Sequence, residues 1–399
     1  MIEPSRRGLA VQPFRAMELL KDVDRLRRAG RDTYLLCLGQ PSTPAPAPVI
    51  TAAKRALADD PLGYTATNGT AQLREAIAAY YLSTYHVIVD PARILITTGS
   101  SAAFTALFLA AFDIGDTVAV TNPGYPAYRE TLAALGLKVQ EIGCRESNRW
   151  QISVDTLEEL AATTTLRGLV VASPANPTGT VIAPAELKAI VEWCDSHGVL
   201  LISDEIYHGI TYGDTRLATA SQFSQNAVTV GSFSKYFSMT GWRLGWTIVP
   251  ESLVRPVDLL LGNLNLSAPT LSQLAAPAAF TADAQTELRD HVERYSRNRQ
   301  IVLDHVSTLT VPPVAPPDGA FYVWVDVSAY LSTDGARTSE ELSHNILEAT
   351  GVAVTPGADF DTELGDNFIR ISYAGATEDV EAGMGLLTDY VASTLHPRL

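Results

Sequence analysis

The chain has 399 residues and a mass of 42.9 kDa, and its 44 acidic against 29 basic side chains leave a formal charge of −15 and a pI near 4.9. That balance argues against nucleic acid or an anionic membrane as the main partner. A chain 46% hydrophobic and only 18% charged has material for one large core or two moderate ones, which excludes disorder as the dominant state.

No run of about 18 apolar residues is present, so no bilayer-spanning segment is expected. The first twenty residues scatter Glu3, Arg6, Arg7 and Arg15 among apolar ones, which is not a signal-peptide pattern. Cys37, Cys144 and Cys194 are odd in number and far apart, as expected of reduced thiols in a cytoplasmic protein and not of a disulfide frame or a zinc site.

In chain order, prolines cluster first at Pro41, Pro44, Pro46 and Pro48 and later at Pro312, Pro313, Pro316 and Pro317, marking candidate loops near domain edges. Between them, short Val, Ile and Leu runs alternate with longer helical patterns, the sequence form of an α/β fold: a mostly parallel sheet flanked by helices. The strand candidates are 94–98, 117–121, 169–173, 199–203 and 227–231, each nearly all apolar, as strands buried on both faces should be. After residue 281, Leu288, Val292 and Tyr295 recur at helical spacing. The run 319–327 then reads as a strand opening a smaller α+β unit. The expected division is an N-terminal segment, 1–45, joining the small domain; a large domain, 46–285; and a small C-terminal domain, 286–399.

Polar residues follow each buried strand: Gly99-Ser100-Ser101, Asn122-Pro123-Gly124-Tyr125, Asn176-Pro177, Asp204-Glu205-Ile206-Tyr207 and Ser232-Phe233-Ser234-Lys235. Ligands of open α/β sheets bind outside the carboxyl ends of the strands, so these sets converge on one crevice. The chain has five lysines, and Lys235 at a strand end gains a lowered amine pKa from desolvation, as a nucleophile toward carbonyls requires. Arg243, in Gly241-Trp242-Arg243-Leu244-Gly245, carries a planar fork suited to phosphate. With Ser232 and Ser234 it forms one half of an anion cup, and the helix start at Ser100 and Ser101 forms the other.

Asp204 ends an apolar strand, where an unpaired carboxylate is costly and a protonated ring nitrogen would be a fitting partner. A metal reading of Asp204, Glu205 and His208 is weaker, since no His-Glu-x-x-His pattern or second ligand cluster exists; no metal is expected. The Ser-x-x-Lys match at 232–235 lacks the Lys-Thr-Gly and Ser-Asp-Asn partners of penicillin-binding enzymes. Neither Gly-x-Gly-x-x-Gly nor a phosphate-loop motif is present.

In this order and spacing the motifs, running from Leu36-Cys37-Leu38-Gly39-Gln40-Pro41 to Phe368-Ile369-Arg370-Ile371-Ser372, resemble fold-type I pyridoxal-phosphate enzymes. The resemblance is to the class I/II aminotransferases of the aspartate aminotransferase superfamily. It implies that 46–285 is the domain binding pyridoxal 5'-phosphate, that Lys235 forms the Schiff base and shuttles the proton, and that Asp204 pairs with the pyridine nitrogen. It further implies that Tyr207 and Asn176 bond the ring's phenolic oxygen, that Tyr125 stacks on the ring, and that Ser100, Ser101, Ser232, Ser234 and Arg243 hold the phosphate. Tyr64 would reach in from a partner subunit, making a homodimer with shared active sites. Arg370 would clamp the substrate carboxylate, with Gly39 and Asn176 lining that end. A cis bond is expected among Asn122-Pro123 and Asn176-Pro177.

The implied activity is ping-pong transfer of an amino group from an α-amino acid to a 2-oxo acid. A lyase, racemase or cyclase on the same scaffold, or a non-catalytic binding protein, are the alternatives. Some dicarboxylate-specific relatives carry a lysine where Ser101 stands or an arginine near 262–267, and this chain has neither; Arg15 is the one substitute in view.

Overall fold

The computed structural model describes residues 3–309, 315, 317–332 and 335–395. Pro312, Pro313 and Pro316 of the second proline cluster lie outside the described residues. After a short β1 (Tyr34–Leu35), seven strands build the central sheet: β2 (Ile94–Thr97), β3 (Thr117–Asn122), β4 (Lys138–Gly143), β5 (Gly168–Ala172), β6 (Leu200–Asp204), β7 (Val228–Ser232) and β8 (Gly245–Ile248). Their spatial order is β2-β8-β7-β6-β5-β3-β4. Only β8 runs against its neighbours; the rest are parallel.

Parallel neighbours need crossovers, and the helices Gly99–Ala111, Pro126–Ala134, Val154–Ala161 and Pro184–His197 supply them. These helices cover both faces of the sheet. One face packs Val118, Val170 and Val230 against Phe104 and Leu107; the other packs Ala119, Leu169 and Leu201 against Leu187 and Val191. The all-apolar strands are thus buried from two sides, as their composition predicts.

All five expected strands end one residue away from expectation: β2 and β5 stop one residue sooner, and β3, β6 and β7 run one residue further. Asn122 pairs with Gly143, Asp204 with Ala172 and Val230 and Ser232 with Gly245, so these three polar residues are the last of their strands. A terminal backbone pair is a property of the neighbouring strand, which the local apolar run does not encode.

The helix Ala282–Thr308 leads from the large sheet to β9 (Tyr322–Asp326), β10 (Val352–Ala353), β11 (Thr355–Pro356) and β12 (Phe368–Ser372). These form an antiparallel β11-β12-β9 sheet and a β1-β10 pair. Tyr34 and Leu35 of β1 sit opposite Val352 and Ala353, tying the N-terminal chain to the C-terminal sheet. Asn122-Pro123 and Asn176-Pro177 are both cis, and so is Ser173-Pro174.

Candidate active site

The carboxyl ends of β5, β6 and β7 open onto a cavity of about 610 Å³, closed on its far side by Tyr322 and Arg370 of the small sheet. Lys235 enters it from a tight turn directly after β7, in which Met239 N–H donates to the Phe233 carbonyl at 3.0 Å. Phe233 is fully buried beneath, so the turn projects Lys235 outward. Its Nζ donates to the Gly39 carbonyl at 2.6 Å. Burial, then the cations Arg370 and Arg243, lower its amine from the ordinary 10.5 to about 8.

Asp204 is only 2% exposed, and burial raises its carboxyl to about 6. Two donors oppose that shift: Tyr128 Oη, bonded to Oδ2, and the Ile206 N–H, 3.2 Å from Oδ1. Among the described residues no cation stands within ion-pair distance of it. A carboxylate so enclosed calls for a cation from outside the chain.

At the opposite end, the start of the helix Gly99–Ala111 brings Ser100 and Ser101 to the cavity wall, facing Ser234 and Arg243. Free N–H groups and the positive helix end favour an anion there. Gly99 lies at φ +72°, where glycine is favoured, and a Cβ on it would displace the guanidinium end of Arg243. Arg243 itself is left-handed, at φ +50°, with Nη1 donating to the Thr240 carbonyl at 3.1 Å. Ser232 does not reach the cavity wall. Its Oγ instead accepts from Ser234 N–H at 3.1 Å, because its strand position turns the side chain to the inner side.

Arg370, 2% exposed, donates from Nη1 to Asn176 Oδ1 at 2.8 Å and from Nη2 to the Cys37 carbonyl and Thr355 Oγ1. Its guanidinium lies 4.3 Å from the Tyr322 ring centroid and 4.6 Å from that of Phe360. Its Nε is buried without a partner, leaving a donor for an anion. Tyr207 and Tyr322 meet through their hydroxyls at 2.7 Å. Gly39 leaves room for that pair, since a Cβ there would overlap Tyr322 Oη. Tyr125 lines the same wall. Tyr64 does not line the cavity, and 85% of it is exposed.

Three site residues escaped the sequence reading. Tyr128 had a local signal, three residues after Tyr125 on one helix face; Tyr322 and Phe14 reach the cavity from distant segments and had none. Arg15, the one candidate second carboxylate clamp, lies outside this cavity, engaged by Glu340 at 2.9 Å and Asp359 at 3.7 Å. Glu205 and His208 turn away from the cavity. Glu205 Oε1 accepts from Ser203 Oγ and Ala220 N–H, and His208 Nδ1 lies 2.8 Å from Tyr85 Oη. Burial drives Glu205 up to about 8 and His208 down to about 3.

A buried amine of lowered basicity, an anion cup and an arginine with a spare donor form a site for amino-group chemistry on carboxylic acids. Residues 31–384 match the aminotransferase class I and II family; the chain belongs to it and is an aminotransferase. It is similar to a valine–pyruvate aminotransferase of Mycobacterium tuberculosis, 47% identical over 96% of this chain and 97% of the other. The crystal structure of an aminotransferase from the same organism matches with a TM-score of 0.94 and 46% identity, covering 99% of this chain and all of the other. Aspartate aminotransferase from Thermus thermophilus with maleate matches at 0.90 and 30% identity, over 98% of this chain and all of the other.

Proposed function

We propose that the chain moves an amino group from an α-amino acid with an apolar side chain to a 2-oxo acid, using pyridoxal 5'-phosphate bound in the cavity. The observation that carries this reading is the buried Asp204 carboxylate, held by Tyr128 and the Ile206 N–H but with no ion-pair partner among the described residues, in one cavity with the Lys235 amine. When bound, pyridoxal phosphate supplies a carbonyl that takes up the amino group and a ring that withdraws electrons from the substrate's α-carbon.

The residues present fit that group. Asp204, with Tyr128 holding its Oδ2, would pair with the cationic ring nitrogen. Ser100, Ser101, Ser234 and Arg243 would hold the phosphate, and Tyr125, Asn176 and Tyr207 would bind the ring. Ser232 supports the cup only through the Ser234 N–H. Lys235, basic enough to act near neutral pH, takes the proton from the α-carbon and returns it. Arg370 binds the α-carboxylate through a charge-assisted fork fixed by Asn176 and Thr355.

The preference for apolar donors rests on the lining. Phe14, Met17, Cys37 and Leu38 form the wall near Gly39, and the guanidinium groups of the cavity are Arg243 and Arg370 alone among the described residues. A side-chain carboxylate would be buried unpaired. The relative named for valine and pyruvate supports the same choice.

We further propose a cytoplasmic homodimer in which Tyr64 completes the partner's phosphate cup, with 1–45 and 286–399 forming a small domain against 46–285. The exposure of Tyr64 supports the first. Among the described residues no helix is long and apolar enough to cross a membrane.

The test is the visible absorption of the protein loaded with pyridoxal phosphate. A band that bleaches with valine, returns with pyruvate, and is lost in Lys235→Ala is the expected result. An unresponsive band across a panel of amino acids overturns the assignment. Aspartate should react slower than valine by about 10²-fold, as an unpaired buried charge demands.

A further inference from the structure

A second cavity, of about 730 Å³, adjoins the first on the side of the N-terminal segment. The two share five wall residues: Phe14, Thr105, Tyr125, Ala127 and Thr131. Four of these belong to the layer of helices on the sheet, within Gly99–Ala111 and Pro126–Ala134 or, for Tyr125, capping the latter. Phe14 alone comes from the N-terminal segment, and its ring meets the Tyr125 ring edge-on at 6.2 Å. One aromatic side chain from the N-terminal segment therefore stands on the wall that the two chambers share.

The backbone holds Phe14 there. It caps the helix Arg15–Arg28, and its carbonyl accepts from Met17 N–H at 2.9 Å. The next two N–H groups, of Arg15 and Ala16, donate at 3.0 Å each to the two oxygens of Asp359. A carboxylate on a helix start is favourable, and this one pins the segment to the loop before β12.

We propose that Phe14 is a specificity-determining residue: it sets the longest side chain the site accepts, by partitioning it from an outer chamber that otherwise admits longer tails. The outer chamber carries five carboxylates against two guanidinium groups in its lining, with Arg145 behind Asp361 and Glu363, which leaves a net negative wall that favours neutral or cationic tails over anionic ones. This rests on the proposed reading of the inner cavity as the amino-acid site.

The test compares the loaded wild-type enzyme with Phe14→Ala, Phe14→Leu and Phe14→Trp. The kcat/KM ratio of phenylalanine to valine, with pyruvate as acceptor, should rise at least about tenfold in Phe14→Ala, rise less in Phe14→Leu and fall in Phe14→Trp. Lysine should gain in Phe14→Ala and glutamate should not. Calorimetry with 3-phenylpropanoate and isovalerate gives the corresponding ratio as binding, independent of turnover. An equal change for all donors and both acids overturns the partition. Absence of turnover in the wild type overturns the transaminase reading, while the binding ratio still decides the role of Phe14.

Discussion

Tyr128 donates its hydroxyl to Oδ2 of Asp204 at a point where neither side chain meets solvent. The contact is the main protein support for the ionised form of that carboxyl, ahead of Ile206 N–H and the Lys235 charge. Hydrogen bonds to charged groups contribute about 1.5–3 kcal/mol. Tyr128→Phe should therefore weaken pyridoxal phosphate at least about tenfold. It also moves the Asp204 carboxyl above about 6, so the deficit should be larger at pH 6 than at pH 8. Fluorescence titration of the apoprotein at both values checks this; equal affinity of variant and wild type would refute it.

Lys235 bears an amine at about 8 because burial, Arg370 and Arg243, in that order, disfavour its cation. Its reactivity in the apoprotein toward trinitrobenzene sulfonate should rise with a midpoint near that value. Removing the cation with the larger effect must raise the amine pKa, so Arg370→Met should move the midpoint upward. A midpoint that stays in place would show that Arg370 does not act on Lys235.

Glu205 keeps its proton up to about pH 8 when folded, against an ordinary value of 4.5. Below about 4.5 both folded and unfolded chains hold that proton. Between the two values only the folded chain does, so this group's contribution to stability falls as pH rises and levels off above 8. Glu205→Gln does not titrate, and urea unfolding of the apoprotein should show it gaining on the wild type from pH 5 to pH 8. Glu205→Ala strands Ser203 Oγ and Ala220 N–H and should cost about 1–3 kcal/mol.

Gly99 and Gly115 share a left-handed backbone, at φ +72° and +90°, but only Gly99 faces Arg243. An alanine at either site costs about 1 kcal/mol or more from backbone strain. Gly99→Ala should in addition push the guanidinium aside and loosen pyridoxal phosphate at least about tenfold, with Gly115→Ala leaving cofactor affinity unchanged. Equal affinities in the two variants would remove Arg243 from the phosphate end.

The edge strand β4, with Lys138, Gln140 and Glu141, and the short β8, with Thr247, show no such apolar run, but the other five strands of the large sheet were legible in the sequence because a strand buried on both faces must be apolar throughout and must be followed by a polar turn. For the same reason Lys235, Asp204, Arg243 and the Ser100-Ser101 helix start were readable: each is placed by the backbone within a few residues of its own strand. What joins them was not. Tyr207 and Tyr322 stand 115 positions apart, and Asn176 and Arg370 stand 194 apart. The inward turn of Ser232, the capture of Arg15 by Glu340 and Asp359, and the seat of Phe14 between two chambers likewise depend on how the small sheet and the N-terminal helix dock. Local pattern dictates the direction of a chain, whereas the partner of a buried polar group is chosen by packing between layers. The polar groups at the strand ends are thus a property of the sequence, and the shape of the cavity they share is a property of the tertiary structure.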